Sequence, residues 1–170
     1  MLTFSSIDKH NPGLLCNLLE QSYKDLFSLF PKSVDAELEA FAQFDTMAFN
    51  HPHSVGKCVV ITSFSNSIVG FASFDPRQQP SKGIIGHNCI LKQFQGHGFG
   101  KLQILHLLKE LERRAIQKAI VSTGDHPFFE PAQHMYLSSG FKEVRRGAIK
   151  STTMPFTMIE YELELCYHHG

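Results

Sequence analysis

The segment Gln95-Gly96-His97-Gly98-Phe99-Gly100 places three glycines at the junction of two regular elements. The apolar run from Gly83 to Leu91 before it predicts a strand, and the amphipathic stretch from Phe99 to about Lys118 predicts a helix. Glycines at such a junction let backbone N–H groups converge on an anion, and the dipole of the following helix favours a phosphate. The segment therefore predicts either a pyrophosphate site or a turn that only permits tight packing.

The spacing of these glycines argues against two common phosphate-binding loops. A Walker A loop has four residues between its first glycine and a Gly-Lys pair, followed by Ser or Thr. Here three residues separate Gly96 from Gly100. The residue after Lys101 is Leu102. The dinucleotide fingerprint GxGxxG also fails, because single residues separate the three glycines. A nucleotide-binding module is therefore disfavoured.

The order of the remaining elements predicts the fold class. Strands are expected over 1–7, 57–64, 68–74, 83–91, 119–123, 141–144 and 156–165, and helices over 12–30, 33–44, 99–118 and 131–139. This order favours an α/β fold with one mixed central sheet of about six to seven strands, flanked by about four helices. The length, with no repeat and no linker, predicts a single domain over residues 1–170.

Composition limits the possible partners and compartments. Sixteen basic and sixteen acidic residues cancel, so no global field favours nucleic acid or an anionic membrane. No stretch approaches the length of a membrane span, and no signal peptide is evident. The four cysteines are widely spaced and lie mostly in apolar runs, which suits free thiols and a cytoplasmic compartment. They are Cys16, Cys58, Cys89 and Cys166.

Two histidine pairs could suggest a metal site. They are His51-x-His53 and the terminal His168-His169, and no third ligand follows either pair at the spacing of a zinc site. Surface loops explain both pairs better, so no metal is expected.

Two separated motifs resemble those of the GNAT acetyltransferases. Gln95, Gly98 and Gly100 match the signature Gln/Arg-x-x-Gly-x-Gly/Ala, and 132–141 match the pattern Ala-x-x-x-Tyr-x-x-x-Gly-Phe. Asn88-Cys89-Ile90-Leu91 is similar to the splayed strand that precedes the loop in that family. The resemblance is good from about Val59 to Val144. It implies an N-acetyltransferase that uses acetyl-CoA as its cosubstrate.

The resemblance also implies a set of cofactor-binding residues. Loop amides would hold the CoA pyrophosphate, and the splayed strand would pair with the pantetheine arm. The residues so implied are Cys89, Ile90, Leu91, Gln95, Gly96, His97, Gly98, Phe99, Gly100, Lys101 and Ala132. Many members carry Asn three residues before the alanine, whereas this chain has Phe129.

The catalytic candidates follow from the chemistry of amine acetylation. Tyr136 occupies the tyrosine of the second motif, and a phenol stays protonated at neutral pH, so that it can donate to a leaving thiolate. A packing tyrosine is the other interpretation. His87 and Asn88, on the strand that leads into the site, are expected on opposite faces, so only one could face the acceptor. Cys89 is expected to contact pantetheine rather than to act as a nucleophile.

The acceptor is expected to be a small primary amine, attacked directly in a ternary complex of a monomer or homodimer. Aromatic residues of the first helices are expected mostly in the core, and in the family these helices border the acceptor pocket. Acidic residues there, Asp35, Glu37, Glu39 and Asp45, could attract a cationic amine or serve as capping charges. A CoA-binding regulatory or interaction domain with little catalysis is the alternative function.

Overall fold

Residues 1–165 of the chain are described by a computed structural model. In chain order the elements are β1 (Leu2–Ser5), α1 (Leu14–Ser22), α2 (Lys24–Leu29), α3 (Val34–Asn50), β2 (Val59–Phe64), β3 (Ser67–Asp75), β4 (Gly83–Ile85), β5 (Cys89–Ile90), α4 (Phe99–Arg113), β6 (Lys118–Gly124), α5 (Glu130–Ser138), β7 (Lys142–Lys150) and β8 (Thr157–Glu164). Contacts divide them into two units, one of residues 1–73 and 87–103 and one of residues 74–86 and 104 onward.

The first unit is built on the meander β1-β2-β3, in which both pairings are antiparallel. The predicted hairpin of β2 and β3 is confirmed, and its turn residues Ser65 and Asn66 both have positive φ angles, of 47° and 68°. Such angles match a turn whose twist suits the flanking strands. The short strand β5 pairs with the other edge of β3, where Gly70 lies opposite Ile90 and Phe71 lies opposite Cys89.

Helices α1 and α3 supply much of the core of the first unit. Their residues Leu15, Leu19 and Phe41 are at most 1% exposed, and they join Ile61 and Phe71 of the strands in one apolar cluster. Burying such side chains is the main favourable term in folding. The aromatic residues predicted for the core divide accordingly: Phe41 is fully buried, whereas Tyr23, Phe27 and Phe44 are partly buried against the cluster.

The second unit contains a mixed set of strand pairings. β4 is antiparallel to the end of β3 and parallel to β6, and β8 is antiparallel to both β6 and β7. Buried residues of α4, among them Leu107 and Leu111, lie in the same unit as buried Val121 and Ile159 of the strands. The predicted α/β class with a mixed sheet is confirmed. Residues 1–165 contain eight strands and five α-helices, one element more of each kind than the upper expectation.

The strand predicted over 83–91 is wrong as a continuous element. β3 pairs with β5 through Gly70 and Phe71, but with β4 through Phe74 and Asp75, so its edge changes partner. The chain between β4 and β5 leaves the ladder, and Ser73 Oγ donates a hydrogen bond to the carbonyl of His87 there, at 2.7 Å. His87 and Asn88 therefore lie in this break rather than on a strand.

Helix α4 ends at Arg113, earlier than predicted. Ala115 adopts a left-handed conformation (φ 57°), its N–H donates to Glu112 O, and the N–H of Ile116 donates to Leu111 O at 3.1 Å. These bonds form a Schellman motif, which usually has glycine at the left-handed position. Because alanine stands there, the sequence carries no visible stop signal.

The predicted first helix is interrupted at Tyr23, where α1 gives way to α2. The Tyr23 N–H still donates to Leu19 O, and its carbonyl still accepts from Phe27 N, so helical hydrogen bonding continues through the break. Among residues 1–165, no helix is long and apolar enough to cross a membrane. Cys16, Cys58 and Cys89 are free thiols. Cys166 and His168-His169 lie outside the described residues.

Candidate active site

The glycine loop has the backbone geometry of an anion site. Gly96 and Gly98 have φ angles of +81° and +80°, which favour glycine, and a Cβ built on either would meet no atom within 4 Å. Helix α4 begins at Phe99, and the first N–H groups of a helix have no carbonyl partner within it. The amides of Phe99 and Gly100 therefore stand where a helix dipole favours negative charge. This backbone geometry suits an anionic ligand such as a diphosphate.

Side chains of the loop make local contacts. Gln95 Nε2 donates to Ile90 O at 2.9 Å, which ties the loop to β5. His97 Nδ1 lies 3.0 Å from Gln95 O, and its ring stacks on Phe99 with centroids 5.5 Å apart. Lys101 is exposed at the start of α4. Backbone N–H groups of the loop and the exposed ammonium group of Lys101 thus lie close together in the chain, a combination suited to phosphate oxygens.

Strand β5 approaches β3 very closely. A Cβ on Gly70 would lie 2.0 Å from the carbonyl oxygen of Cys89, so only glycine fits there. The N–H of Leu91 donates to Val69 O at 2.8 Å. Burial raises the pKa of the Cys89 thiol to about 11, so that the side chain is a neutral thiol at pH 7.

His87 lies in an aromatic corner of the first unit. Its ring centroid is 4.9 Å from that of Phe44 and 5.8 Å from that of Phe41, both on α3. Burial lowers the pKa of His87 below its ordinary value of 6.5, because the imidazolium form loses hydration there. The neutral imidazole, which can accept a proton, therefore predominates at pH 7. Asn88 is half-buried beside it in the chain.

The residues of the second motif lie on α5, in the other unit. Ala132 and Tyr136 are one helical turn apart on this helix. Tyr136 is 2% exposed, and its ring contacts those of Phe141 and Tyr161, each with centroids 5.7 Å apart. The ring therefore has a packing role, and its catalytic role stays a prediction.

Phe129, where many family members carry Asn, belongs to an aromatic cluster. Its ring contacts Phe128 (4.9 Å between centroids) and Phe156 (5.7 Å). A Cβ on Gly124 would lie 2.6 Å from both Phe129 and Phe156, so this end of β6 requires glycine. At this position the chain therefore has apolar side chains, where many family members have the side-chain amide of Asn.

Sequence reasoning missed a buried polar group on α4. Leu102, an apolar residue of the amphipathic stretch, is 48% exposed. The buried face instead includes Gln103, which is 1% exposed and in line with Leu107 and Leu111. Gln103 hydrogen-bonds to Thr62, which is also buried. A polar residue four and eight positions before two leucines was the signal that could have revealed it.

Comparison with known proteins identifies the family. The sequence matches the family model described as the acetyltransferase (GNAT) family over residues 16–141, which is more than half of the chain. The chain belongs to the GNAT acetyltransferase family. The predicted family and enzyme class are confirmed, and with them acetyl-CoA as the cosubstrate of the GNAT enzymes. A search of curated proteins finds no match.

Solved GNAT structures share the fold at low sequence identity. A Desulfovibrio desulfuricans protein assigned to the GNAT family has a TM-score of 0.75 at 13% identity, covering 98% of this chain and 100% of that one. An aminoglycoside 6′-N-acetyltransferase complexed with coenzyme A has 0.70 at 14%, covering 99% of each chain. The Escherichia coli ribosomal-protein-S18-alanine N-acetyltransferase has 0.65 at 17%, covering 100% and 97%. The same fold thus accompanies small-molecule and protein acceptors.

The predicted site residues divide between the two units. His87, Asn88, 89–91 and 95–101 belong to the first unit, whereas Ala132 and Tyr136 belong to the second. Within residues 1–165, no group of three His, Cys, Asp or Glu side chains could hold a metal ion. The roles of the individual residues stay predictions.

Proposed function

We propose that this GNAT protein transfers the acetyl group of acetyl-CoA to the primary amine of a small molecule, by direct attack within a ternary complex. The observation that carries the proposal is the glycine loop at the start of α4, because its left-handed Gly96 and Gly98 leave open space beside helix-terminal amides. In an acetyltransferase family, that loop suits the pyrophosphate of CoA.

The cofactor contacts follow from this loop and from β5. The amides of residues 96–101 would hold the pyrophosphate, with Lys101 adding positive charge at the surface. Cys89, Ile90 and Leu91 would pair with the pantetheine arm, and Ala132 on α5 would leave room for it. Gln95 would act through its bond to Ile90, since its side-chain amide is already engaged there.

His87 is proposed as the general base. An attacking amine must lose a proton, and an imidazole whose pKa is lowered by burial is neutral and ready to accept it at pH 7. The aromatic rings of Phe41 and Phe44 supply that burial. Asn88 would orient the acceptor or the carbonyl rather than take the proton, since its amide has no basic form in this range.

Tyr136 is proposed as the general acid that protonates the CoA thiolate as the carbon–sulfur bond breaks. The proposal rests on its place in the second motif. The packing of its ring against Phe141 and Tyr161 would hold the phenol in one orientation. A covalent route through Cys89 is disfavoured, because its raised pKa leaves almost no thiolate at neutral pH.

The proposed acceptor, compartment and oligomeric state rest on the sequence and on the cysteines. A small amine is favoured because the chain has no long charged insertion that could form a groove for a polymer, and balanced charge gives no attraction to nucleic acid. The free thiols of Cys16, Cys58 and Cys89 agree with a reducing, cytoplasmic compartment. The protein would work as a monomer or a homodimer, as one domain over residues 1–170.

The decisive experiment is a panel of amines assayed by release of the CoA thiol. Aminoglycosides, polyamines and amino acids would be compared with peptides that carry a free N-terminus or a lysine. Turnover on small amines supports the proposal, and turnover on peptides alone would replace the small acceptor with a protein. Binding of CoA with no turnover across the panel would favour the alternative, a regulatory CoA-binding domain.

A further inference from the structure

The side chain of Gln103 connects the second turn of α4 to three strands. Gln103 Nε2 donates to Phe71 O of β3 at 2.9 Å and makes a longer hydrogen bond to Cys89 O of β5 at 3.4 Å. Its Oε1 accepts a hydrogen bond from Thr62 Oγ1 of β2 at 2.7 Å. Both Gln103 and Thr62 are at most 1% exposed, so neither side chain exchanges these partners for water.

The backbone carbonyls of Phe71 and Cys89 fix the orientation of the amide, and Thr62 completes its hydrogen bonding. The two carbonyls of Phe71 and Cys89 can only accept hydrogen bonds, so the NH₂ group of Gln103 must face them. Its oxygen then faces Thr62, whose hydroxyl must donate. Each polar atom of this buried group is satisfied in one arrangement, and buried networks of this kind are costly to disturb.

The amide acts on a very short strand. β5 consists of Cys89 and Ile90 alone, and side-chain hydrogen bonds add to its pairing with β3. Gln103 bonds the carbonyl of Cys89, and Gln95 bonds that of Ile90. Ser73 bonds the carbonyl of His87 just before the strand. The position of β5 is therefore set from α4 and the glycine loop as well as from β3.

Packing alone does not explain a glutamine at this place. The adjacent buried positions of α4 are apolar, as in Ile104, Leu107 and Leu111, and each is fully buried. Burying an amide costs free energy unless every polar atom finds a partner, and an apolar pair of similar shape can be as stable. What the polar pair adds is a defined distance between the start of α4 and the backbone of β5.

We propose that Gln103, which accepts a hydrogen bond from Thr62, is a positioning residue that holds β5 at the place where the pantetheine arm of acetyl-CoA pairs with it. This rests on the proposed function, in which β5 binds that arm and the glycine loop binds the pyrophosphate. Gln103 itself would contact neither acetyl-CoA nor a reacting atom. It keeps the two binding elements at the spacing that one ligand requires.

The test compares two ligands by calorimetry. CoA reaches both the loop and β5, whereas 3′-phospho-ADP carries the pyrophosphate without the pantetheine arm. Gln103→Leu is expected to weaken CoA binding about tenfold, which corresponds to one lost hydrogen-bonded constraint. The same variant is expected to bind 3′-phospho-ADP within about twofold of the wild type, because the loop itself is unchanged.

A conservative pair on Thr62 provides the rescue. Thr62→Val removes the hydroxyl at similar volume and should weaken CoA binding in the same way, whereas Thr62→Ser keeps the hydroxyl and should bind as the wild type does. Ile104→Val on the same helix is the control for lost packing, since it removes one buried methylene group and no hydrogen bond. If Gln103→Leu does not fold, the two Thr62 variants carry the test.

The outcomes separate the positioning role from the proposed function. Unchanged CoA affinity in folded Gln103→Leu and Thr62→Val overturns the positioning role, and so does an equal loss for 3′-phospho-ADP, which would indicate damage to the loop. A loss of CoA affinity in Ile104→Val equal to that in Gln103→Leu also overturns it. A wild-type protein that binds neither CoA nor 3′-phospho-ADP would instead overturn the proposed function itself.

Discussion

The carboxylate of Asp45 lies 2.8 Å from the backbone nitrogen of Leu15, so a side chain of α3 caps the N-terminus of α1. The same carboxylate accepts hydrogen bonds from the N–H groups of Gly13 (2.8 Å) and Cys16 (3.1 Å). Gly13 precedes α1 and has no side chain to cap it. Asp45 is 5% exposed, so it serves this helix rather than attracting a cationic amine.

Replacing Asp45 by Asn should lower the free energy of unfolding by about 1–3 kcal/mol, because three amides lose a charged acceptor at a helix N-terminus. Urea unfolding monitored by circular dichroism measures this. Glu39→Gln, an exposed position on the same helix, should change it by less than about 0.5 kcal/mol. Equal stabilities of the Asp45 variant and the wild type would mean that the cap contributes nothing.

Gly98→Val should weaken acetyl-CoA binding by more than about tenfold, since a branched side chain would fill the space beside the loop amides and disfavour a φ of +80°. Gly147→Val is a matched control for strain, because Gly147 has a φ of +78° and also no atom within 4 Å of a built Cβ. Calorimetry should find wild-type affinity in the control. Full affinity in a folded Gly98 variant would require another place for the pyrophosphate.

The sequence predicted those parts of the fold that depend on local pattern. The glycines between a strand and a helix and the hairpin around Ser65-Asn66 are signals carried by neighbouring residues. The end of α4 was misplaced because Ala115 takes a conformation normally marked by glycine. The split between β4 and β5 depends on which strand pairs with each part of β3, and no local pattern encodes that choice.

Candidate site residues could be named from the sequence where a family motif marks them, but not where contacts connect distant positions. Gln95, Gly98 and Tyr136 come from the resemblance to the family's motifs, and their roles stay predictions. The bond from Thr62 to Gln103 spans 41 positions, and that from Asp45 to Leu15 spans 30. Such pairs become visible only when the strands and helices are assembled.

His87 gives a prediction about pH. The pKa of His87 is lowered from 6.5, so the imidazole should be deprotonated at pH 7 and kcat/KM should not vary with its titration there. As pH drops through the lowered pKa, the base becomes protonated and kcat/KM should fall. His87→Asn should remove this acidic limb and lower the rate by about a hundredfold or more. His53→Asn, in an exposed loop, should leave the profile unchanged. An unaltered profile and rate in His87→Asn would assign the base elsewhere.

The same group should make stability depend on pH. The unfolded chain binds a proton at His87 near pH 6.5, whereas the folded chain binds it only at lower pH. The unfolded state therefore holds more protons just below pH 6.5. The contribution of His87 to the free energy of unfolding should therefore decrease as pH falls below 6.5, and should not vary above it. Thermal melts of the wild type and His87→Phe across this range measure the difference. Parallel curves for the two proteins would contradict the assignment.

Tyr136→Phe keeps the packed ring and removes only the hydroxyl, so it separates the catalytic role from the packing role. Because general acid catalysis is worth about a hundredfold to ten-thousandfold, kcat should fall within that range while acetyl-CoA binds almost normally. Steady-state kinetics on an accepted amine, together with calorimetry, measure both quantities. Phe141→Leu, which alters a neighbouring buried ring without removing a hydroxyl, is the control for lost packing. If Tyr136→Phe lost stability and binding together, the hydroxyl would serve a buried hydrogen bond instead. Full turnover in a folded variant, with chemistry rate-limiting, would assign the proton to water or to another side chain.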